Sequence, residues 1–471
     1  MLRRPFSRRQ WIALALAAIV VLGGGLRARA AAEHDPTLST DERGYVREAF
    51  KLSEGTYRSF HWPPGAPAMF AASRVIVNER DLPAAYWLQA LVGTLLIAVC
   101  FAIAALAAGP LAGLTAAALV ALYPPFVTLS GSLQSEPLGA LLIAMAILAV
   151  TWALLRDGRL RWWALAGLLF GATVLTRTDL ILGPFIVAAL AALALFRRGD
   201  AHSTQPRSAM LRSAALPAAV LVGAFVLCLA PWTVYASYRT GEFTPVTEGD
   251  ASALFVGTYL PGDGTTQGMK SELGARVRAS DRGLRGIPNG KLKASDVLDF
   301  VAERRPGLPR DEALRVEARA NLRRYALGQP LDFARMMAAK VSRTWFLSSR
   351  AGSPNKSDFT RAYHVVLVLA CLALMLAVAV MRRSALVGMC LALIAYSMLL
   401  HAVFVAKPRY NLPLMSLLIV GGVVAACILL QRRSALTAPT GGAPIQRASS
   451  QELRPRPDAV TPDEEPDPTS R

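Results

Sequence analysis

The stretch "LSTDERGYVREAFKLSEG", residues 38 to 55, sets two carboxylates side by side, Asp41 and Glu42, at the start of an amphipathic run. Carboxylates take up protons or hold hard cations. Further along stand Glu136 in "SLQSEP", Arg177 and Asp179 in "LTRTDL", Lys340 and Arg343 in "AAKVSRTW", and Lys407, Arg409 and Tyr410 in "KPRYN". Arginine grips an anion through two parallel N–H donors, and lysine meets it as a point charge. Each group also has a plain structural alternative. Ser39, three residues before Glu42, spells a capping box, and Gly55 supplies the stop. Pro137 opens a helix for which Glu136 is a first-turn acid. Arg177 can pair with Asp179, and cations commonly snorkel at helix ends. A helix N-terminus favours an anion, so Asp41 is expected to stay ionised.

The elements that must position these groups are membrane spans. Of 471 residues 54% are hydrophobic and only 18% charged, far from the composition of an ordinary soluble domain. Runs long enough to cross about 30 Å of hydrocarbon fall at 10–26, 84–106, 110–129, 137–155, 161–176, 180–196, 213–236, 362–381, 384–406 and 410–431. The interiors of these ten runs carry no Asp, Glu, Lys or Arg, and His364 and His401 are the titratable groups in or beside them. An ion-coupled carrier needs charged groups near the midplane. Here the charges collect at one edge instead: Asp35, Asp41 and Glu42 after the first run, Glu136 before the fourth, Arg177 and Asp179 after the fifth, Lys340 and Arg343 before the eighth, Lys407 and Arg409 before the tenth. If the bundle closes, they converge on one site.

The net charge of +19 follows a membrane pattern and not a nucleic-acid one. Arg3, Arg4, Arg8 and Arg9 precede the first span. Arg156, Arg159 and Arg161, then Arg197, Arg198, Arg207 and Arg212, then Arg382 and Arg383, then Arg432 and Arg433 fill every second short connection. Those connections are cytoplasmic by the positive-inside rule, which makes both termini cytoplasmic and the stretches 27–83 and 237–361 external. The chain thus divides into an N-terminus and first span (1–26), a first external loop (27–83), spans two to seven (84–236), an external loop domain (237–361), spans eight to ten (362–431) and a disordered cytoplasmic tail (432–471), whose Pro, Ser and Thr content shows from about residue 434. "SRRQWIALALAAIVVLGGGLRARA" reads as a retained span, with a cleaved signal peptide, even a twin-arginine one, as the alternative. The five cysteines all fall in predicted spans, so neither disulfides nor a cysteine metal site are expected.

"FHWPPGAPAMFAASRVIVN" is too short to span and is expected to lie along the outer interface, with no catalytic role for His61 or Trp62. The 237–361 loop reads as Gly-rich and irregular to about residue 290, then helical from about 294 to 347 with a break at Gly328 and Pro330. Its 21 basic and 14 acidic residues suit a solvated face or a surface for anionic lipid or glycan.

Five pieces in order resemble the bacterial branch of the family-39 glycosyltransferases, relatives of protein O-mannosyltransferases and aminoarabinose transferases. They are "TDERGYVREAFKLSEGTYRSFHWPPGAPAMFA", "SLQSEPLGALL", "LTRTDLILGP", "LAPWTVYASYRTGEFTPVTEGDASALFVGT" and "KPRYNLPLMSLL". The chain departs from the pattern at Tyr235 and Ala236, where relatives often show Arg and Asn, and at Thr178, where they often show Pro. The resemblance implies an all-α polytopic membrane protein with a GT-C-like bundle of about ten transmembrane helices and an external, largely helical loop domain. It further implies inverting transfer of a hexose or pentose from a polyprenyl-phosphate donor to an extracytoplasmic acceptor, at the outer face of a bacterial inner membrane. On it, Asp41 and Glu42 are the catalytic acids, with Asp41 at the family's position for the general base. Arg409, Tyr410, Lys340, Arg343 and Lys407 would hold the donor phosphate. Glu136 and Arg177 would orient the acceptor, or Asp41 and Glu136 a divalent cation. A lipid-linked glycan flippase or exporter and a non-catalytic envelope scaffold are the alternative functions.

Overall fold

A computed structural model of the chain describes residues 7–437, apart from 36, 58–59, 78–81, 203–206, 281–285, 289–290, 347–357 and 382. The tail expected to be disordered lies, from residue 438 on, outside the described residues; residues 434–437 are the end of a helix.

The described residues are helical throughout, without strands. The helices are α1 (Arg8–Ala32), α2 (Thr40–Ser53), α3 (Gly65–Val77), α4 (Pro83–Ala108), α5 (Pro110–Leu122), α6 (Pro124–Thr128), α7 (Glu136–Leu155), α8 (Leu160–Thr176), α9 (Gly183–His202) and α10 (Arg207–Thr240). After these come α11 (Asp250–Thr258), α12 (Thr266–Ala279), α13 (Ala294–Ala302), α14 (Arg310–Asn321), α15 (Pro330–Phe346), α16 (Asp358–Val380), α17 (Ala385–Val403) and α18 (Leu412–Thr437). All ten expected spans coincide with helical segments. Eight of the helices are long and apolar enough to cross a membrane; α5 with α6 and the turn to Gly131 is an apolar pair bent by 56°, the shape of a broken span or a re-entrant loop. The remaining expected span, α8, is a shorter apolar helix of 17 residues, about 25 Å at 1.5 Å per residue.

Proline marks where these helices begin: Pro83, Pro110, Pro124 and Pro137 all sit at first-turn positions of α4, α5, α6 and α7, where the missing N–H costs nothing. Gly109, at φ +94°, alone makes the turn between α4 and α5. Pro124 and Pro125 withhold the N–H groups that would have continued α5, so its last carbonyls need other donors. Arg27 supplies them. Its Nη2 donates to Val120 O (2.9 Å) and its Nη1 to Ala121 O (3.0 Å) and Gly23 O (2.9 Å), with the side chain fully buried. Gly93 leaves room for it, since a Cβ there would lie 2.9 Å from Arg27 Nε. The first helix therefore runs beyond its expected end at residue 26 and carries a buried charge into the bundle.

The loop domain is more ordered than its glycines suggest. Instead of irregular chain to residue 290, α11 and α12 form there, and Phe255, Met269, Leu273 and Val277 close a core with Val297, Val301, Leu314 and Ala318 of α13 and α14. Gly262 and Gly268 permit the tight approach between the 3₁₀ turn Leu260–Gly262 and the first turn of α12; a Cβ on Gly268 would lie 2.1 Å from Gly262 O. The expected break around Gly328 is present, and a π-helical turn, Leu322–Leu327, precedes it. Lys340 on α15 fastens this domain to the bundle: its Nζ donates to Gly257 O (2.8 Å) in α11's last turn and to Ala402 O (2.8 Å) and Val403 O (3.3 Å) at the end of α17. The five cysteines are free, with Cys100, Cys371 and Cys390 buried.

Candidate active site

The helix α2 is built as its sequence predicts. Ser39 Oγ accepts from Glu42 N, and Glu42 Oε2 accepts from Ser39 N at 2.7 Å, a complete capping box. The second oxygen of Glu42 does something sequence could not show: Oε1 accepts from Leu133 N at 2.9 Å. Glu42 thus ties α2 to the segment 132–135 before α7, and both its oxygens are engaged by backbone. Glu42, expected among the catalytic acids, is held in this structural role. Around it, Gln134 Nε2 donates to Ser39 Oγ (3.2 Å), Tyr45 OH lies 3.1 Å from Ser135 Oγ, and Trp62 fills the space above Gly44, where a Cβ would meet it at 2.6 Å. Gln89 of α4 holds the same segment from below by donating to Ser132 O and Gln134 O.

Asp41, one residue earlier, faces the other way. Its Oδ2 accepts from Lys407 Nζ at 2.9 Å and from Arg409 Nη2, both in the turn Pro408–Asn411 or just before it. Arg409 Nη1 also donates to Gln134 Oε1, and its Nε forms an ion pair with Glu136 Oε1 at 3.2 Å. The same Glu136 oxygen pairs with Arg177 Nη1 at 3.1 Å, and Arg177 reaches Asp179 with two further donors. Asp179 Oδ2 lies 3.7 Å from His401 Nε2. Tyr410 packs its ring among Arg177, Lys407 and His401, 5.1 to 5.9 Å from each. Three carboxylates and three cations from α2, α7, the turn after α8, and the turn before α18 thus share one cluster, buried at Glu136 and Arg177 and opening to the surface at Lys407. Burial raises the Asp41 carboxyl, but Lys407 and Arg409 outweigh it and hold it below the usual carboxylate range.

Of the residues expected to take part, Asp41, Glu136, Arg177, Lys407, Arg409 and Tyr410 come together. Lys340 and Arg343 do not. Lys340 is fully buried with its three N–H donors on three carbonyls, although burial and Arg343 push its ammonium down to about 7. Arg343 donates to Asp263 O and pairs with its carboxylate in the loop domain. Asp35 accepts from Thr37 N in its own turn. Asp41 and Glu136 do not fit a divalent ion, because Arg409 already stands between them, and among the described residues no three His, Cys, Asp or Glu converge on a common point. Gln134 was missed from sequence; as a neutral amide in "SLQSEP" it carries no charge to draw notice, yet it joins Arg409 to the cap of α2.

Residues 61–235 match the family model described as dolichyl-phosphate-mannose-protein mannosyltransferase. The whole chain is similar in structure to the archaeal oligosaccharyltransferase AglB from Archaeoglobus fulgidus in complex with an inhibitory peptide and a dolichol-phosphate (TM-score 0.53, 15% identity, 92% of this chain and 52% of that one). The chain has the GT-C fold. An apo form of the Archaeoglobus fulgidus oligosaccharyltransferase aligns equally well (TM-score 0.53, 15% identity, 91% and 52%). ArnT from Cupriavidus metallidurans bound to undecaprenyl phosphate aligns over 91% of this chain and 79% of its own, at 15% identity and a TM-score of 0.42. The chain spans about half the length of the oligosaccharyltransferases, and no curated protein sequence matches it. Within this GT-C fold the matched stretch contains Gln134, Glu136 and Arg177, while Asp41, Lys407 and Arg409 arrive from either side of it.

Proposed function

We propose that this protein is an inverting glycosyltransferase that moves a hexose or pentose from a polyprenyl-phosphate donor to an acceptor hydroxyl at the outer face of a bacterial cytoplasmic membrane. One observation carries the reading: Asp41, on a helix pinned by Glu42, Gln134 and Tyr45, meets Lys407 and Arg409 at the start of the last span. A phosphate on a membrane-embedded chain would lie at that level. The acceptor hydroxyl passes its proton to an Asp41 carboxylate oxygen while its own oxygen attacks the anomeric carbon. The bond from that carbon to the phosphate oxygen breaks on the opposite side, and the electron pair leaves with the lipid phosphate. Lys407 and Arg409 stabilise that anion, so no acid is needed for departure. A single displacement inverts the anomeric centre.

The similarity to a mannosyltransferase family over residues 61–235, and to an oligosaccharyltransferase solved with dolichol-phosphate, supports a lipid-linked donor. The arginine-rich alternate connections support the external side. Purified protein incubated with a panel of polyprenyl-phosphate sugars should release free polyprenyl phosphate from at least one. Transport of such lipids across proteoliposomes without any release would replace the reading with an exporter.

A further inference from the structure

The cation pair proposed to receive the donor is already occupied by an anion. Asp41, Glu136 and Asp179 face Lys407, Arg409 and Arg177, so the charges of the cluster cancel. A lipid phosphate brings at least one more negative charge to this cluster, in which Glu136 and Arg177 are buried, Arg409 is 18% exposed and Lys407 opens to the surface. To reach both Lys407 Nζ and Arg409 it must take the position of a carboxylate, because an added unpaired charge in a buried site is costly.

The three carboxylates are not equally free to yield. Glu136 has a side chain only 1% exposed and is wedged between Arg409 and Arg177. Asp179 lies behind Arg177, which grips both of its oxygens, and next to His401. Asp41 is different. Its side chain is 17% exposed, it holds both cations through a single oxygen, and its helix keeps its seat through Glu42, Ser39 and Tyr45 whether or not Asp41 stays in place.

Resting on the donor reading above, we propose that Asp41 is a resident stand-in for the donor phosphate: it covers Lys407 and Arg409 in the donor-free protein and is turned off them when a lipid phosphate binds. Donor binding then both fills the phosphate site and releases the base. Once parted from the two cations, the carboxylate loses what held its proton affinity down, which makes it a better proton acceptor. Before donor arrives the same carboxylate is a poor base, so the order of events is built into one side chain.

The test measures binding of farnesyl phosphate, a short polyprenyl phosphate, to the full-length protein in detergent. Ordinarily, truncating a site residue weakens binding. Here Asp41→Asn should bind farnesyl phosphate about tenfold or more tighter than wild type, since a competing anion is gone, while Arg409→Ala binds more weakly. Asp41→Ser, read the same way, serves if the asparagine variant does not fold. Equal or weaker binding by folded Asp41 variants, with the Arg409 dependence intact, overturns the stand-in and leaves the phosphate site. If neither wild type nor variants bind, the donor reading falls and this inference with it.

Discussion

Arg409 has three partners, Asp41, Gln134 and Glu136, and is the residue on which the proposed donor site turns. Arg409→Ala should cost about 1.5 to 3 kcal/mol of donor binding or turnover, the scale of a charge-assisted contact. Arg409→Lys should recover only part, because an ammonium cannot span the three partners. Unchanged donor dependence in folded Arg409→Ala would reduce the residue to an anchor. Glu42 makes the opposite case. A glutamine satisfies a capping box, so sequence alone suggests that Glu42→Gln is mild. In the structure both carboxylate oxygens accept from backbone N–H groups, at Ser39 and Leu133, and an amide offers one oxygen. The substitution should therefore lower stability by about 1 to 3 kcal/mol while turnover per folded molecule stays near wild type, measured by melting alongside activity. The charged members of the cluster were legible because charge at a span edge stands out. Lys340 stood out equally and serves the fold, since its partners are the carbonyls of Gly257, Ala402 and Val403, which leave no trace in residue types.

Among the elements, the spans could be read from hydropathy, but their ends and breaks could not. Arg27 marks an end by its charge, yet α1 continues to Ala32 and the guanidinium turns inward to the open end of α5. Whether a helix continues past a charge depends on what waits for the charge, and here that is a set of carbonyls freed by Pro124 and Pro125 more than ninety residues away. Arg27→Leu should destabilise the protein by roughly 2 to 4 kcal/mol, as expected when buried acceptors lose their donor, seen as a lower melting temperature in detergent. Arg27→Lys should recover some of this through its shorter reach. No loss in either variant would mean that the break at Tyr123 holds itself. In the loop domain the misleading signal was glycine: Gly262 and Gly268 read as irregular chain but let a 3₁₀ turn pack closely on the first turn of α12, and only the partner surface distinguishes the two uses.

At the scale of the molecule, the sidedness of the site rests on arginine placement. In a cysteine-free background, single cysteines at the exposed positions Ser271 and Ser295 should react with an impermeant thiol reagent in intact cells, and one at Ser208 should not. The reverse pattern would move the site to the cytoplasmic face. The cancelling charges of the Asp41 cluster have one more consequence, for how a donor finds the site. A bare pair of cations would pull phosphates in through a field felt over about a Debye length, roughly 10 Å at 0.1 M salt. A neutral cluster casts little field. Donor capture should then depend on lateral diffusion within the bilayer, and its rate should change little between about 0.05 and 0.5 M salt, whereas Asp41→Asn, by exposing the cations, should make capture faster at low salt and visibly salt-sensitive.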